Sequence, residues 1–278
     1  MPERAEPVLV LLRERLSSAL HAAHARADRV LRGLSSGRGA TPPALPEAVQ
    51  AFSVDHVGGR YDVCRVEPEE VPALRVHWKR PDGRPYARIE TLRQGLAARG
   101  LDLLFAVNGG MYTRAWTPLG LLVEEGVVLS PLNEGTGVEN YFLHPNGVFF
   151  VADSQARVVE TAAYRPDHPI RLAVQSGPML VLGGLLHPRL LPGCRDRCVR
   201  SAVGVDRGGA VLFAISDGIT CFHDLATLFR DRLGCPDALY LDGSRAARMY
   251  LPQLGRFVGW ETPPLATIIA LSKERRTP

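Results

Sequence analysis

The chain has 278 residues, 46% of them apolar and 22% charged, and carries a net charge of +4. A chain of this size buries a substantial core without covalent staples and makes one large domain or two small ones. Its positive charge is spread thinly rather than gathered on a basic face interleaved with aromatics, which excludes a nucleic-acid binder and leaves room for anionic substrates.

In chain order, residues 7–34 predict one amphipathic helix, with Leu12, Leu16, Leu20, Ala23, Ala27, Val30 and Leu34 recurring at intervals of three and four. Arg13, Arg15, Arg26, Arg29 and Arg32 fill much of the remainder. Such a helix suits packing on its own domain or in a helical pair better than an anionic membrane surface. Val8 to Leu12, the most apolar early stretch, is too short for a membrane span or a signal-peptide core. The sequence as written therefore reads as cytoplasmic, with no transmembrane span. Residues 33–47 are a linker by composition, dividing the chain into an N-terminal helix and linker, 1–47, and a main domain, 48–278. Gly33-Leu34-Ser35-Ser36-Gly37 has the spacing of a serine-hydrolase nucleophile elbow but lacks the strand–turn–helix setting that gives that motif its mechanics.

From residue 61 the period changes. Tyr61–Val66 and Leu74–Lys79 read as strands, and Arg88–Arg99 as a helix with Ile89, Leu92 and Leu96 inward and Gly100 stopping it. Strands follow at Leu103–Val107, Gly120–Val123 and Val127–Leu129, the last two joined as a hairpin at Glu124-Glu125-Gly126. The second half predicts strands at Gly147–Val151, Arg157–Thr161, Arg171–Gln175, Met179–Leu182, Ser201–Val205 and Ala210–Ser216. A helix runs from His223 or Asp224 to Leu233, and strands at Leu239–Leu241 and Ala266–Leu271 close the chain. Hairpins dominate and regular βαβ alternation is missing, so the fold class is α+β: a mixed, largely antiparallel sheet core with packed helices, preceded by the amphipathic helix.

Three apolar strands end in a polar residue beside glycine: Asn108-Gly109-Gly110, Asp217-Gly218 and Asp242-Gly243. Glycines there admit backbone conformations closed to other residues and let a ligand approach closely. If those strands run the same way, the three corners converge on one rim. Cys194 and Cys198 pair as a disulfide if their Cα atoms come within about 7 Å, or join His187 as metal ligands. Cys64, Cys221 and Cys235 sit in apolar settings and read as core residues.

The ordered series Asn108-Gly109-Gly110-Met111-Tyr112, Thr117-Pro118-Leu119-Gly120, Gln175-Ser176-Gly177-Pro178, Arg200-Ser201-Ala202-Val203-Gly204, Ser216-Asp217-Gly218 and Leu241-Asp242-Gly243 resembles the phosphodiester glycosidase family. The resemblance spans roughly residues 60–272 and is closer to the family's bacterial branch, whose members are often described as exported. The family's best-known member, the uncovering enzyme, removes N-acetylglucosamine from a sugar phosphodiester. The resemblance implies hydrolysis of a glycosyl phosphodiester or related glycoside, with a carbohydrate or sugar-phosphodiester partner. No cofactor or metal is expected: a metal-assisted phosphodiesterase ranks last, since His-x-His or comparable ligand clusters are missing from the sequence. It points to Asp217 and Asp242 as the catalytic carboxylates, since most glycosidases use two. Arg200 is then the guanidinium that neutralises the departing phosphate. Asn108, Gly109, Gly110, Ser176, Gly177, Ser216, Gly243 and Arg245 are the substrate-binding candidates. Family members follow Leu-Asp-Gly with more glycine and then serine, whereas this chain has Ser244-Arg245-Ala246. That departure supports the alternative: a non-catalytic protein binding glycan or an anionic cell-envelope polymer on the same scaffold.

Overall fold

The computed structural model describes residues 49–166, 168–260 and 262–275. The helix expected over 7–34 and the linker over 33–47 lie outside them. Val49–His56 (β1) and Gly59–Val66 (β2) form a hairpin closed by Val57-Gly58, both at left-handed φ, 47° and 71°. Two-residue turns of this kind match the right-handed twist of the flanking strands. Leu74–His77 (β3), the helix Ile89–Ala97 (α1) and Leu101–Asn108 (β4) follow. As the spacing predicts, α1 buries Ile89, Leu92 and Leu96, and Gly100 leaves it at a φ of 75°.

Leu122–Glu124 (β5) and Val127–Ser130 (β6) form the expected hairpin. At its tip Glu125 is exposed and ion-paired with Arg75. Next come Gly147–Ala152 (β7), Gln155–Glu160 (β8), Ile170–Ser176 (β9), Met179–Leu182 (β10), Leu185–Leu186 (β11), Arg200–Val205 (β12) and Val211–Ser216 (β13). The helix expected to Leu233 is regular only over Phe222–Thr227 (α2) and continues as a wider π turn, Leu228–Arg232. Asp237–Gly243 (β14), Met249–Leu251 (β15), Arg256–Val258 (β16) and Ile268–Glu274 (β17) complete the order. Strands β1, β11, β15 and β16 were not expected from the sequence. The last three hold only two or three residues each, too few to show a period, and β1 is half-buried along most of its length.

The strands make three sheets: a seven-stranded one ordered β1-β2-β13-β12-β14-β10-β11, and two five-stranded ones, β16-β15-β4-β17-β3 and β6-β5-β9-β7-β8. Among the described residues every strand pairing is antiparallel. The expected α+β class is therefore realised as antiparallel sheets with few helices. All three sheets turn one face to a shared core. At its centre Phe213 of the seven-stranded sheet meets Phe105 of β4, ring centroids 4.9 Å apart, and Phe149 of β7 at 5.8 Å. Helix α2 and its π turn cover the other face of the seven-stranded sheet through Leu225, Leu228 and Phe229. Helix α1 covers the outer face of the β4 sheet, packing with Ala106 and Ile268.

Candidate functional site

Strands β13 and β14 both run antiparallel to the β12 that separates them, so their C-terminal ends share one rim of the sheet. The C-terminal end of β4 joins that rim through Asn108, which is 2% exposed. Asn108 Oδ1 accepts the Arg248 backbone N–H at 3.0 Å and lies 2.9 Å from Ser201 Oγ. Ser201 Oγ also lies 3.1 Å from the Asp242 carbonyl oxygen, so its single proton serves two acceptors. Asn108, Ser201 and the Asp242 backbone thus clamp two sheets together where three strands meet. A bulge in the β12–β14 ladder between Ser201 and Ala202 re-aims the chain at Asp242, a device frequent beside functional sites.

Asp242 is half-buried. Burial pushes its carboxyl up to about 7, against the Gly243 N–H, which donates to Oδ1 at 2.7 Å, and against the Arg248 charge. A carboxyl tuned this way both takes and releases a proton near neutrality. Arg248, 1% exposed, donates to the carbonyls of Arg245, at 3.0 Å, and Pro263, fastening the loop after β14 to the segment before β17. The Tyr112 hydroxyl is pushed up to about 12 by burial and by Asp242, with Arg248 opposing, so it remains a donor at neutral pH. Trp116 stacks on the Tyr112 ring, centroids 5.0 Å apart.

The other expected site residues divide. Asp217 reaches the shared rim, but its carboxylate accepts from Arg256 Nη2 at 2.7 Å, and the same guanidinium lies 2.9 Å from Asp62. Asp242 ends the strand on the other side of β12, and its charged neighbour is Arg248. Arg200 turns to the opposite face of the sheet. It is fully buried, with Nε donating to the Thr220 carbonyl at 3.2 Å, Nη2 to Asp196 at 2.8 Å, and its plane 3.6 Å over the Phe222 ring. Strand alternation explains this: Ser201 faces Asn108, so its neighbour Arg200 must face α2.

Ser176 spends its hydroxyl on the Leu241 carbonyl at 2.8 Å, and Ser216 accepts the Arg200 N–H at 3.0 Å. Packing alone requires the glycines to be glycines. A Cβ on Gly109 would strike Thr267, on Gly110 the Gln175 carbonyl at 2.5 Å, on Gly177 the Tyr141 carbonyl at 2.6 Å, and on Gly243 the Tyr240 hydroxyl. Arg245 is exposed on the turn directly after Asp242. Cys194 and Cys198 are free thiols, so the disulfide that the sequence left open is not formed. His187 is committed to the His144 carbonyl at 2.9 Å, and among the described residues no three His, Cys, Asp or Glu side chains gather as a metal site.

Ser201, Arg248, Tyr112 and Trp116 were not singled out from the sequence. Arg248 carried the clearest signal, a lone charge in the run Ala246-Ala247-Arg248-Met249-Tyr250-Leu251. No helix among the described residues is long and apolar enough to cross a membrane.

Known proteins resemble this one in both sequence and fold. Residues 102–276 match the family model described as phosphodiester glycosidase. Uncharacterized protein YigE of Escherichia coli K12 is 32% identical over 201 residues, covering 72% of this chain and 78% of that protein. The catalytic domain of zebrafish N-acetylglucosamine-1-phosphodiester alpha-N-acetylglucosaminidase, auto-inhibited by its pro-peptide, shares the fold with a TM-score of 0.57 at 16% identity, covering 84% of this chain and 85% of that one. A hypothetical protein from Synechocystis is similar with a TM-score of 0.50 at 15% identity, over 81% of this chain and 62% of that one. Because the family model covers well over half of the chain, including Asn108, Ser201 and Asp242, the chain belongs to the phosphodiester glycosidase family.

Proposed function

We propose that the protein hydrolyses a glycosyl phosphodiester, or a related glycoside, with Asp242 as the proton-transfer group. The observation that carries this reading is the position of Asp242 on a rim where three strands end, its backbone clamped through Ser201 to Asn108, where burial raises its carboxyl to about 7. In the step proposed, water attacks the anomeric carbon and yields its proton to the Asp242 carboxylate. A C–O bond forms to water as the bond to the phosphate oxygen breaks, and the bonding pair leaves with the phosphate. A phosphate monoester is a competent leaving anion, so charge neutralisation matters more than protonation. Arg245, exposed one turn from Asp242, is assigned that contact in place of the caged Arg200.

The test is a hydrolysis screen against sugar-1-phosphodiesters and aryl glycosides, beside Asp242→Asn. Loss of a proton-transfer group lowers turnover by about 10²–10⁴-fold, and turnover unchanged in the variant would falsify the assignment. Asp217, the other carboxylate at the rim, is ion-paired with Arg256, whereas most glycosidases use two carboxylates. That favours, as the second reading, a glycan or anionic-polymer binding protein. Saturable binding with no turnover on any substrate selects it.

A further inference from the structure

The hairpin after Asn108 is built with more care than a connection needs. Tyr112 bridges Pro118, the Thr113 N–H donates to the Thr117 carbonyl at 2.8 Å, and the Trp116 N–H to the Thr113 carbonyl at 3.0 Å. Inside the turn, Thr113 Oγ1 lies 2.7 Å from Thr117 Oγ1 and accepts the Ala115 N–H at 3.2 Å. Trp116 takes a left-handed φ of 60°, uncommon for a bulky residue and informative when a structure maintains it. The result is an indole held over the Tyr112 ring, planes 28° apart. Both rings are half-buried, and neither belongs to the hydrophobic cores of the described residues.

Aromatic faces carry the negative lobe of the ring quadrupole. Such faces accept a flat, apolar C–H surface more readily than a phosphate. A pyranose offers that surface on one face and hydroxyls around its edge. Binding energy drawn from such a non-reacting part of a substrate is what positions the reacting bond.

We propose that Tyr112 and Trp116, on the turn that leaves the rim just after Asn108, form a ledge on which the apolar face of a pyranose stacks, orienting the sugar half of the substrate at that rim. The ledge rests on the reading of this rim as the carbohydrate site, yet it binds sugar whether or not the bond is cleaved.

The experiment titrates the full chain with a panel of methyl pyranosides and N-acetylglucosamine, with sorbitol and inorganic phosphate as controls, reading affinity in every variant by isothermal titration calorimetry and, in the wild type, tryptophan fluorescence as well. Trp116→Ala isolates the indole signal from Trp78 and Trp260. Trp116→Phe keeps an aromatic face, and both variants are checked by thermal unfolding. At least one pyranose is expected to give a saturable change in the wild type, about tenfold weaker binding in Trp116→Ala, and near-normal affinity in Trp116→Phe. Sorbitol and phosphate are expected to give no Trp116 signal. The ledge is overturned if no pyranose moves that signal, if Trp116→Ala binds sugar as tightly as the wild type, or if sorbitol acts as well as a pyranose. Hydrolysis that persists in Trp116→Ala with KM unchanged removes the ledge and leaves the hydrolase reading standing. Pyranose binding through Trp116, retained in Asp242→Asn and without turnover on any substrate, leaves the ledge and removes hydrolysis.

Discussion

At the scale of single residues, Asp242 is the side chain whose state the surroundings alter with most consequence. Its carboxyl titrates near 7 in the folded chain against 3.8 for an unperturbed aspartate. The unfolded chain releases this proton first, so between about pH 4 and 7 the folded state binds more protons and raising the pH favours unfolding. Wild type should therefore lose stability relative to Asp242→Asn across that window, each unit of pKa difference being worth about 1.4 kcal/mol. Urea titrations at pH 4.5 and 7.5 measure this, and parallel curves at both values would contradict it. If the carboxylate takes the proton of the attacking water, kcat/KM rises with pH through about 7 and then levels. A rate that instead falls through that range would make Asp242 an acid and displace the base role.

Between elements, Arg256 is the tie that matters most at the rim. From β16 it reaches across to Asp62 of β2, which is fully buried, and to Asp217 after β13. Removing one partner strands a buried charge, so Arg256→Met is expected to cost about 3–5 kcal/mol. Adding Asp62→Asn should recover part of that loss, and a double-mutant cycle that shows simple additivity would refute the coupling. Gly110 ties elements in another way, because its missing Cβ lets β4's exit pass the Gln175 carbonyl of β9. Gly110→Ala should destabilise by about 1–3 kcal/mol through overpacking, read as a lowered urea midpoint with an unchanged slope. The hairpins were legible as elements because their turns carry the chemistry: Glu125-Gly126 supplies the left-handed pair that a two-residue turn requires. Three-residue β15 and β16 were not, because their partners are supplied by a distant β4 and by each other.

Over the whole molecule, Phe213 binds three sheets into one core by meeting Phe105 and Phe149. Phe213→Ala should cost about 3–5 kcal/mol. Because all three sheets contribute to that one central core, the described domain is expected to unfold in one transition. Far-UV circular dichroism and tryptophan fluorescence should give coincident urea curves, and two separated transitions would show that the sheets are independent.

What the residues determined unaided was local and periodic: most strands, helix α1 with its glycine stop, the hairpin turns, the antiparallel bias, and a rim of polar corners at Asn108, Asp217 and Asp242. Each follows from interactions within a few positions of the chain. Only the tertiary structure decided what each polar residue does at that rim. Arg200 and Ser201 are neighbours in sequence and face opposite sides of one sheet, so one is caged by Phe222 and Asp196 while the other meets Asn108. Asp217 and Asp242 look alike as Asp-Gly corners, yet Arg256, 39 positions from the first, neutralises one, and burial lifts the other toward neutrality. Charge and burial are properties of neighbours in space, and those neighbours come from strands that the chain order holds far apart.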